Sequence, residues 1–202
     1  MKTQVLVLSQ YSDLIRGTIE ASGCDYLWRS PDVEVSDWPD SDWVVSFGYR
    51  KIIPSATIER FQGRIINIHI SLLPLNKGSD PNFWSWFDDT LKGVTIHRVS
   101  DSLDGGEILA QREMPNNEFR GFPPTLASAH TDLLVAAAGL FDRKWRHIMY
   151  GRIILPVTRN IEGSYHRSSD KSRFLDRLPL GWLSPVTEVQ KLGLIYRGRA
   201  SD

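Results

Sequence analysis

Four apolar residues in succession, Val5-Leu6-Val7-Leu8, follow a short polar start. A strand sends successive side chains to opposite faces, so an unbroken apolar run describes a strand covered on both sides, the setting of a parallel sheet between helices. Trp43-Val44-Val45-Ser46-Phe47 and Arg64-Ile65-Ile66-Asn67-Ile68-His69 have the same character. Helical segments lie between them. Leu14, Ile15, Ile19 and Ala21 run up to Gly23 behind a Ser12 or Asp13 cap, and Pro54 opens a second helix ending near Phe61. Asp80-Pro81 reads as an N-cap and first helical residue for a helix reaching about Phe87. Gly93-Val94-Thr95-Ile96-His97 and Glu107-Ile108-Leu109-Ala110-Gln111 read as strands joined by the loop that holds Asp104. Leu126, Leu133, Leu134, Ala137, Leu140, Phe141, Trp145 and Ile148 recur at helical spacing, which makes the segment from Thr125 to about Met149 the longest predicted helix. Strands alternating with helices predict an α/β fold with a mostly parallel twisted sheet flanked by helices. Residues 1–150 are expected to form this core. Residues 151–202, rich in Arg, Ser, Gly and Pro and without strong periodicity, are expected to form a short C-terminal extension or small subdomain.

At 202 residues with 41% hydrophobic content, the chain has the length and composition of one globular domain. Its 24 Lys and Arg balance 24 Asp and Glu, which argues against a general nucleic-acid binder. A single cysteine, Cys24, excludes an intramolecular disulfide framework and a multi-cysteine metal site, and no metal site is expected. No apolar stretch is long enough for a signal h-region or a membrane span, so no membrane partner is expected and the expected location is cytoplasmic.

The chemistry concentrates between Ile66 and Gly106. Asn67 and His69 stand two apart on a predicted strand and share a face. Asp104 follows in Leu103-Asp104-Gly105-Gly106. An amide donor, an imidazole and a carboxylate meeting at one spot can stabilise an oxyanion and move a proton when an amine attacks a carbonyl carbon. Alone, Asn-x-His on a strand describes two satisfied polar residues, and Asp before two glycines is a turn former. Asp104 can hold His69 in its useful form or take the amine proton, and both roles stay open.

The order Asn67-Ile68-His69, Ser71-Leu72-Leu73-Pro74, Gly93 to His97 and Leu103 to Leu109 resembles the formyltransferases that use N10-formyltetrahydrofolate as formyl donor. The resemblance is strong over residues 42–115. It implies a Rossmann-like core with Asn67, His69 and Asp104 as the catalytic triad. It also implies that Ser46 to Pro54 lines the pterin pocket largely through backbone groups, with Phe47, Tyr49, Ile52 and Ile53 as its members, while Val99 to Asp104, including Leu103, closes the other side. His97 either borders the folate or pairs within the sheet.

The same resemblance bears on the acceptor. Glycinamide ribonucleotide transformylases have a Gly-rich loop after the first strand, where this chain reads Ser9-Gln10-Tyr11-Ser12-Asp13 without glycine. Methionyl-tRNA formyltransferases add a C-terminal domain and basic surfaces, for which a neutral 202-residue chain leaves no room. The segments Asn76 to Trp86 and Gly163 to Asp170 are similar to those of sugar N-formyltransferases and of the formylation domain of gramicidin-type peptide synthetases. The expected substrate is therefore a nucleotide-linked amino sugar of the 4-amino-4,6-dideoxy type. Lys77, His166 and Arg167 would face its diphosphate, and Trp84 or Trp86 would pack on the sugar. Helical spacing equally places Trp84 and Phe87 in a core. The alternatives are an aminoacyl group on a peptide-synthetase carrier and hydrolysis of the donor by water. Many sugar enzymes of the family are dimeric, which carries the expectation of a homodimer.

Overall fold

A computed structural model describes residues 1–121, 123–152 and 161–199. Residues 153–160 and 200–202 of the expected C-terminal extension lie outside it. The described residues fall into two compact units. One is drawn from Met1–His69, Thr95–Gln111 and Ala137–Thr158, the other from Ile70–Val94, Arg112–Ala136 and Arg159–Asp202.

A six-stranded sheet dominates the first unit. Its strands are β1 (Gln4–Ser9), β2 (Asp25–Arg29), β3 (Trp43–Phe47), β4 (Ile65–His69), β6 (Gly93–Arg98) and β7 (Ile108–Glu113), with β5 defined below. The spatial order is β2-β1-β3-β4-β6-β7, parallel from β2 through β4, with β6 antiparallel to β4. Every residue of β3 is buried, as the apolar run requires. β2 escapes the apolar-run criterion because it is an edge strand without a buried residue. On one face Leu6, Leu8 and Val44 pack with Ile65 and with Phe61 of helix α2 (Ser55–Phe61). Elsewhere in the unit Trp43 meets Trp145 edge-on at 5.5 Å, and the Trp145 indole donates to Ser22 Oγ at 3.0 Å. Helix α1 (Asp13–Ala21) buries Ile15 and Ile19, one turn apart. Ser12 is its N-cap residue without a capping side-chain hydrogen bond.

The second unit is built around helix α3 (Pro81–Phe87), all seven of whose residues are buried. The expected Asp80–Pro81 start is present, but the Asp80 carboxylate does not cap the helix; it pairs with Lys171 and accepts from Ser79 Oγ at 2.8 Å. Strands β5 (Lys77–Gly78) and β8 (Tyr165–His166) form a small parallel pair. Helix α4 (Leu126–Met149) matches the predicted long helix. The region without strong periodicity, expected to form a C-terminal extension or small subdomain, contains α5 (Ser168–Leu175) and α6 (Val186–Arg199). α6 hides from sequence reading because Gly193 and Gly198 lower its helix propensity and Leu194, Ile195 and Tyr196 are exposed. Gly193 has a packing reason: a Cβ there would stand 1.8 Å from the Phe87 carbonyl oxygen, so only glycine lets α6 approach α3. Among the described residues no helix is long and apolar enough to cross a membrane.

Burial pushes the His130 imidazole on α4 below its ordinary value, opposed in part by Asp80. The unfolded chain takes up this proton below about pH 6.5, whereas the folded chain resists it. Stability is therefore expected to decline as pH falls through and below that point. His130→Gln should flatten the decline, as read from denaturant midpoints on either side of it.

Candidate active site

The sheet register assembles the site. β3 pairs with β4 so that Ser46 lies opposite Asn67, and β4 pairs with β6 so that Asn67 lies opposite His97. Cross-strand neighbours share a face, so the three side chains form one polar row across three strands. His69, two residues beyond Asn67, lies on the same face.

The loop between β6 and β7 returns Asp104 to this row. Asp104 adopts the left-handed conformation (φ 48°), which Asp tolerates better than most residues. Gly106 makes the return feasible, because a Cβ there would stand 1.9 Å from the Arg98 carbonyl oxygen. Asp104 Oδ1 is 3.4 Å from Asn67 Nδ2 and 3.5 Å from His97 Nε2, and Asp104 Oδ2 is 3.8 Å from His69 Nδ1. The side chains of both His69 and Asp104 are only 9% exposed, so their interaction is screened far less than a surface pair.

Hydrogen-bond polarity can be assigned along the row. His97 Nδ1 lies 2.8 Å from the Arg98 carbonyl, which only accepts, so Nδ1 carries the proton. In the neutral ring Nε2 is then an acceptor, and Asn67 Nδ2 donates to it at 3.2 Å. A carboxylate near the same Asn67 atom requires that atom to be nitrogen, which leaves Oδ1 to accept from Ser46 Oγ at 2.7 Å. Among the described residues no group of three or more His, Cys, Asp or Glu is placed to hold a metal ion.

A cavity of about 260 Å³ opens beside the row. Tyr49, Lys51, Ile52, Ile53 and Pro54 line one part, Val99 to Asp104 another, and Ser46, Asn67 and His97 reach it from the sheet. Six of the residues expected at the donor pocket, Tyr49, Ile52, Ile53, His97, Val99 and Leu103, line this cavity. Phe47 does not: alternation turns it away from Ser46, and it is buried with its ring 5.3 Å from Tyr11. His97 pairs within the sheet and also lines this cavity. Ser46 and Lys51 were not singled out, although both lie in the segment expected to line the pocket. For Ser46 the available signal was its polarity inside an otherwise apolar strand.

The second unit holds the residues expected to meet the acceptor. Trp84 is buried, with His166 stacked parallel on its ring at 4.0 Å and Phe83, Phe87 and Phe174 around it. Its ring packs the unit's interior and offers no open face to a sugar. Trp86 is likewise fully buried, with the Lys92 ammonium 4.4 Å from its ring centroid. His166 Nε2 stands 3.1 Å from Oδ2 of Asp88, the residue that follows α3. Lys77 is half-buried on β5, and Arg167 is exposed at the start of α5, where its backbone N–H donates to Asp170 Oδ2 at 2.7 Å.

Gly106→Ala should push the loop off the Arg98 carbonyl. A stability loss of about 1–3 kcal/mol is expected, together with faster amide exchange confined to residues 99–107. Unchanged exchange there would contradict the close approach.

Residues 33–118 match the family described as formyl transferase. The formyltransferase PseJ from Anoxybacillus kamchatkensis, solved with UDP-4,6-dideoxy-4-formamido-L-AltNAc and tetrahydrofolate, is 35% identical and superimposes with a TM-score of 0.82 over 94% of this chain and 99% of its own. A methionyl-tRNA formyltransferase from Geobacillus sp. (strain WCH70) is 27% identical over 73% of this chain. The dTDP-4-amino-4,6-dideoxyglucose formyltransferase of Mycobacterium bovis is 42% identical over 36% of it. The chain spans 44% of the length of the first of these curated relatives and 30% of the second. A 35% identity carried over nearly the full length of both chains, on the same fold, means that this chain belongs to the formyltransferase family.

Proposed function

We propose that this protein transfers the formyl group of N10-formyltetrahydrofolate to the amine of a nucleotide-linked 4-amino-4,6-dideoxy sugar. The observation that carries the reading is the Asn67–His69–Asp104 constellation, of which Asn67 and Asp104 line a cavity of mixed polar and apolar walls, in a chain that matches PseJ over 94% of its length. The cavity suits a flat heterocycle: Ile53, Val99 and Leu103 supply apolar surface, and neighbouring backbone supplies donors and acceptors.

In this reading the unprotonated amine attacks the formyl carbon, a new C–N bond forms, and the carbonyl oxygen gains charge. His69 donates to that oxygen. Asn67 has acceptors for both Nδ2 hydrogens in the resting arrangement, so serving the oxyanion means exchanging one. The 3.4 Å contact to Asp104 is longer than the 3.2 Å contact to His97 and is the one to yield. Asp104, 3.8 Å from His69 Nδ1, takes up the proton lost by the amine or holds the imidazole while it passes. The bond from carbon to N10 then breaks, N10 is protonated, and tetrahydrofolate leaves. Lys77 and Arg167 remain the proposed cations for the diphosphate. A cytoplasmic homodimer belongs to the same reading, and sedimentation checks the oligomeric part.

Mass spectrometry of UDP- and dTDP-linked amino sugars incubated with the protein and donor tests the reaction. A formyl gain on a 4-amino sugar is expected. His69→Ala should lower its rate by about a hundred-fold or more, the usual scale for losing an oxyanion donor. Formate release with no amine modified would replace transfer by hydrolysis. Full activity in His69→Ala would remove the proposed triad.

A further inference from the structure

We infer that Ser46 is a positioning residue that holds the Asn67 carboxamide in its working orientation; this deepens the proposed formyl transfer and rests on it. Ser46 is buried at 5% exposure in the middle of the sheet, where a hydroxyl is costly unless it is bonded. Its Oγ donates to Asn67 Oδ1 at 2.7 Å, shorter than the contacts of Asn67 Nδ2 to His97 and Asp104. An amide with its oxygen held this way has Nδ2 facing His97 and Asp104. Turned by half a rotation, it would set its oxygen against the Asp104 carboxylate and against the unprotonated His97 Nε2.

Three groups orient the amide at rest, Ser46 through Oδ1 and His97 and Asp104 through Nδ2. The proposed reaction draws Nδ2 away from Asp104 toward the substrate oxygen. At that moment the Ser46 hydroxyl holds the oxygen end and His97 holds the nitrogen end. The backbone enforces its position: residues 46 and 67 are register partners, so the hydroxyl and the amide meet without a flexible linker. Ser46 thereby acts through Asn67 on where the oxyanion donor points, and also favours the His97 tautomer with its proton on Nδ1.

The test compares Ser46→Thr with Ser46→Val, which share shape and differ in the hydroxyl, with Ser46→Ala alongside. Side-chain nitrogen NMR of His97, assigned with a His97→Gln control, reads the tautomer without any turnover. In wild type and Ser46→Thr one ring nitrogen, Nδ1, should be protonated; in Ser46→Val and Ser46→Ala the signals should shift toward a mixture of tautomers. With donor and amino sugar, kcat should fall about tenfold in Val relative to Thr, less than the hundred- to thousand-fold cost of deleting a donor outright, while KM for the donor stays within about twofold. Equal tautomers and equal kcat in the Thr and Val variants would overturn the inference. A loss confined to KM would do the same, because it would make Ser46 merely part of the cavity wall. If wild-type protein formylates no amine, the reaction reading falls, and the nitrogen measurement still decides the role of Ser46.

Discussion

Strand β4 is paired on both sides, in parallel with β3 and antiparallel with β6, and the site depends on the register of those two ladders. A slip of one residue on either side would turn a whole strand's side chains to the opposite face. Ser46 or His97 would then leave Asn67, and the polar row would become two buried, unsatisfied groups. The apolar residues between them, Val45 and Phe47, Ile66 and Ile68, and Ile96, guard against the slip, since it would move them off their own packing surfaces. The hydrophobic alternation that makes the sheet stable thus also aligns the polar atoms.

The loop carrying Asp104 completes what the row begins. It brings a carboxylate to within 3.8 Å of His69 and 3.4 Å of Asn67 in a setting where neither charge nor dipole is well screened. Such a placement needs a left-handed residue at 104 and a side-chain-free residue at 106, and the chain supplies Asp and Gly there. The Arg98 carbonyl has two duties: it accepts from His97 and forms the surface against which Gly106 closes. Tautomer and loop position are coupled through one backbone oxygen.

The second unit obeys a different constraint. A seven-residue helix buried on every side needs cover from several elements, and Phe83, Trp84 and Phe87 pack on one another with His166 stacked on Trp84. Trp84 and His166, both attractive as substrate contacts by residue type, serve this packing. Gly193 of α6 approaches the same helix, so residues late in the chain complete its cover.

Much of this was legible in the residues. The apolar runs located β1, β3 and β4, helical spacing located α4, and the two-residue spacing of Asn67 and His69 put them on one face, because those features depend on local periodicity alone. The motif order through Asp104 pointed to the site's members and, by resemblance, to the family. Edge strand β2, the weakly amphipathic α6 with its two glycines, the choice of core over substrate for Trp84, and the place of Ser46 beside Asn67 were not legible. The first two lack a local signal, since an edge strand needs no apolar run and glycines lower helix propensity; the others depend on which elements lie side by side in the fold. Sequence by itself determined which residues could do chemistry and which segments must be buried. Only the tertiary structure decided that Ser46 and His97 flank Asn67, because hydrogen-bond register between strands distant in the chain is a property of the assembled sheet.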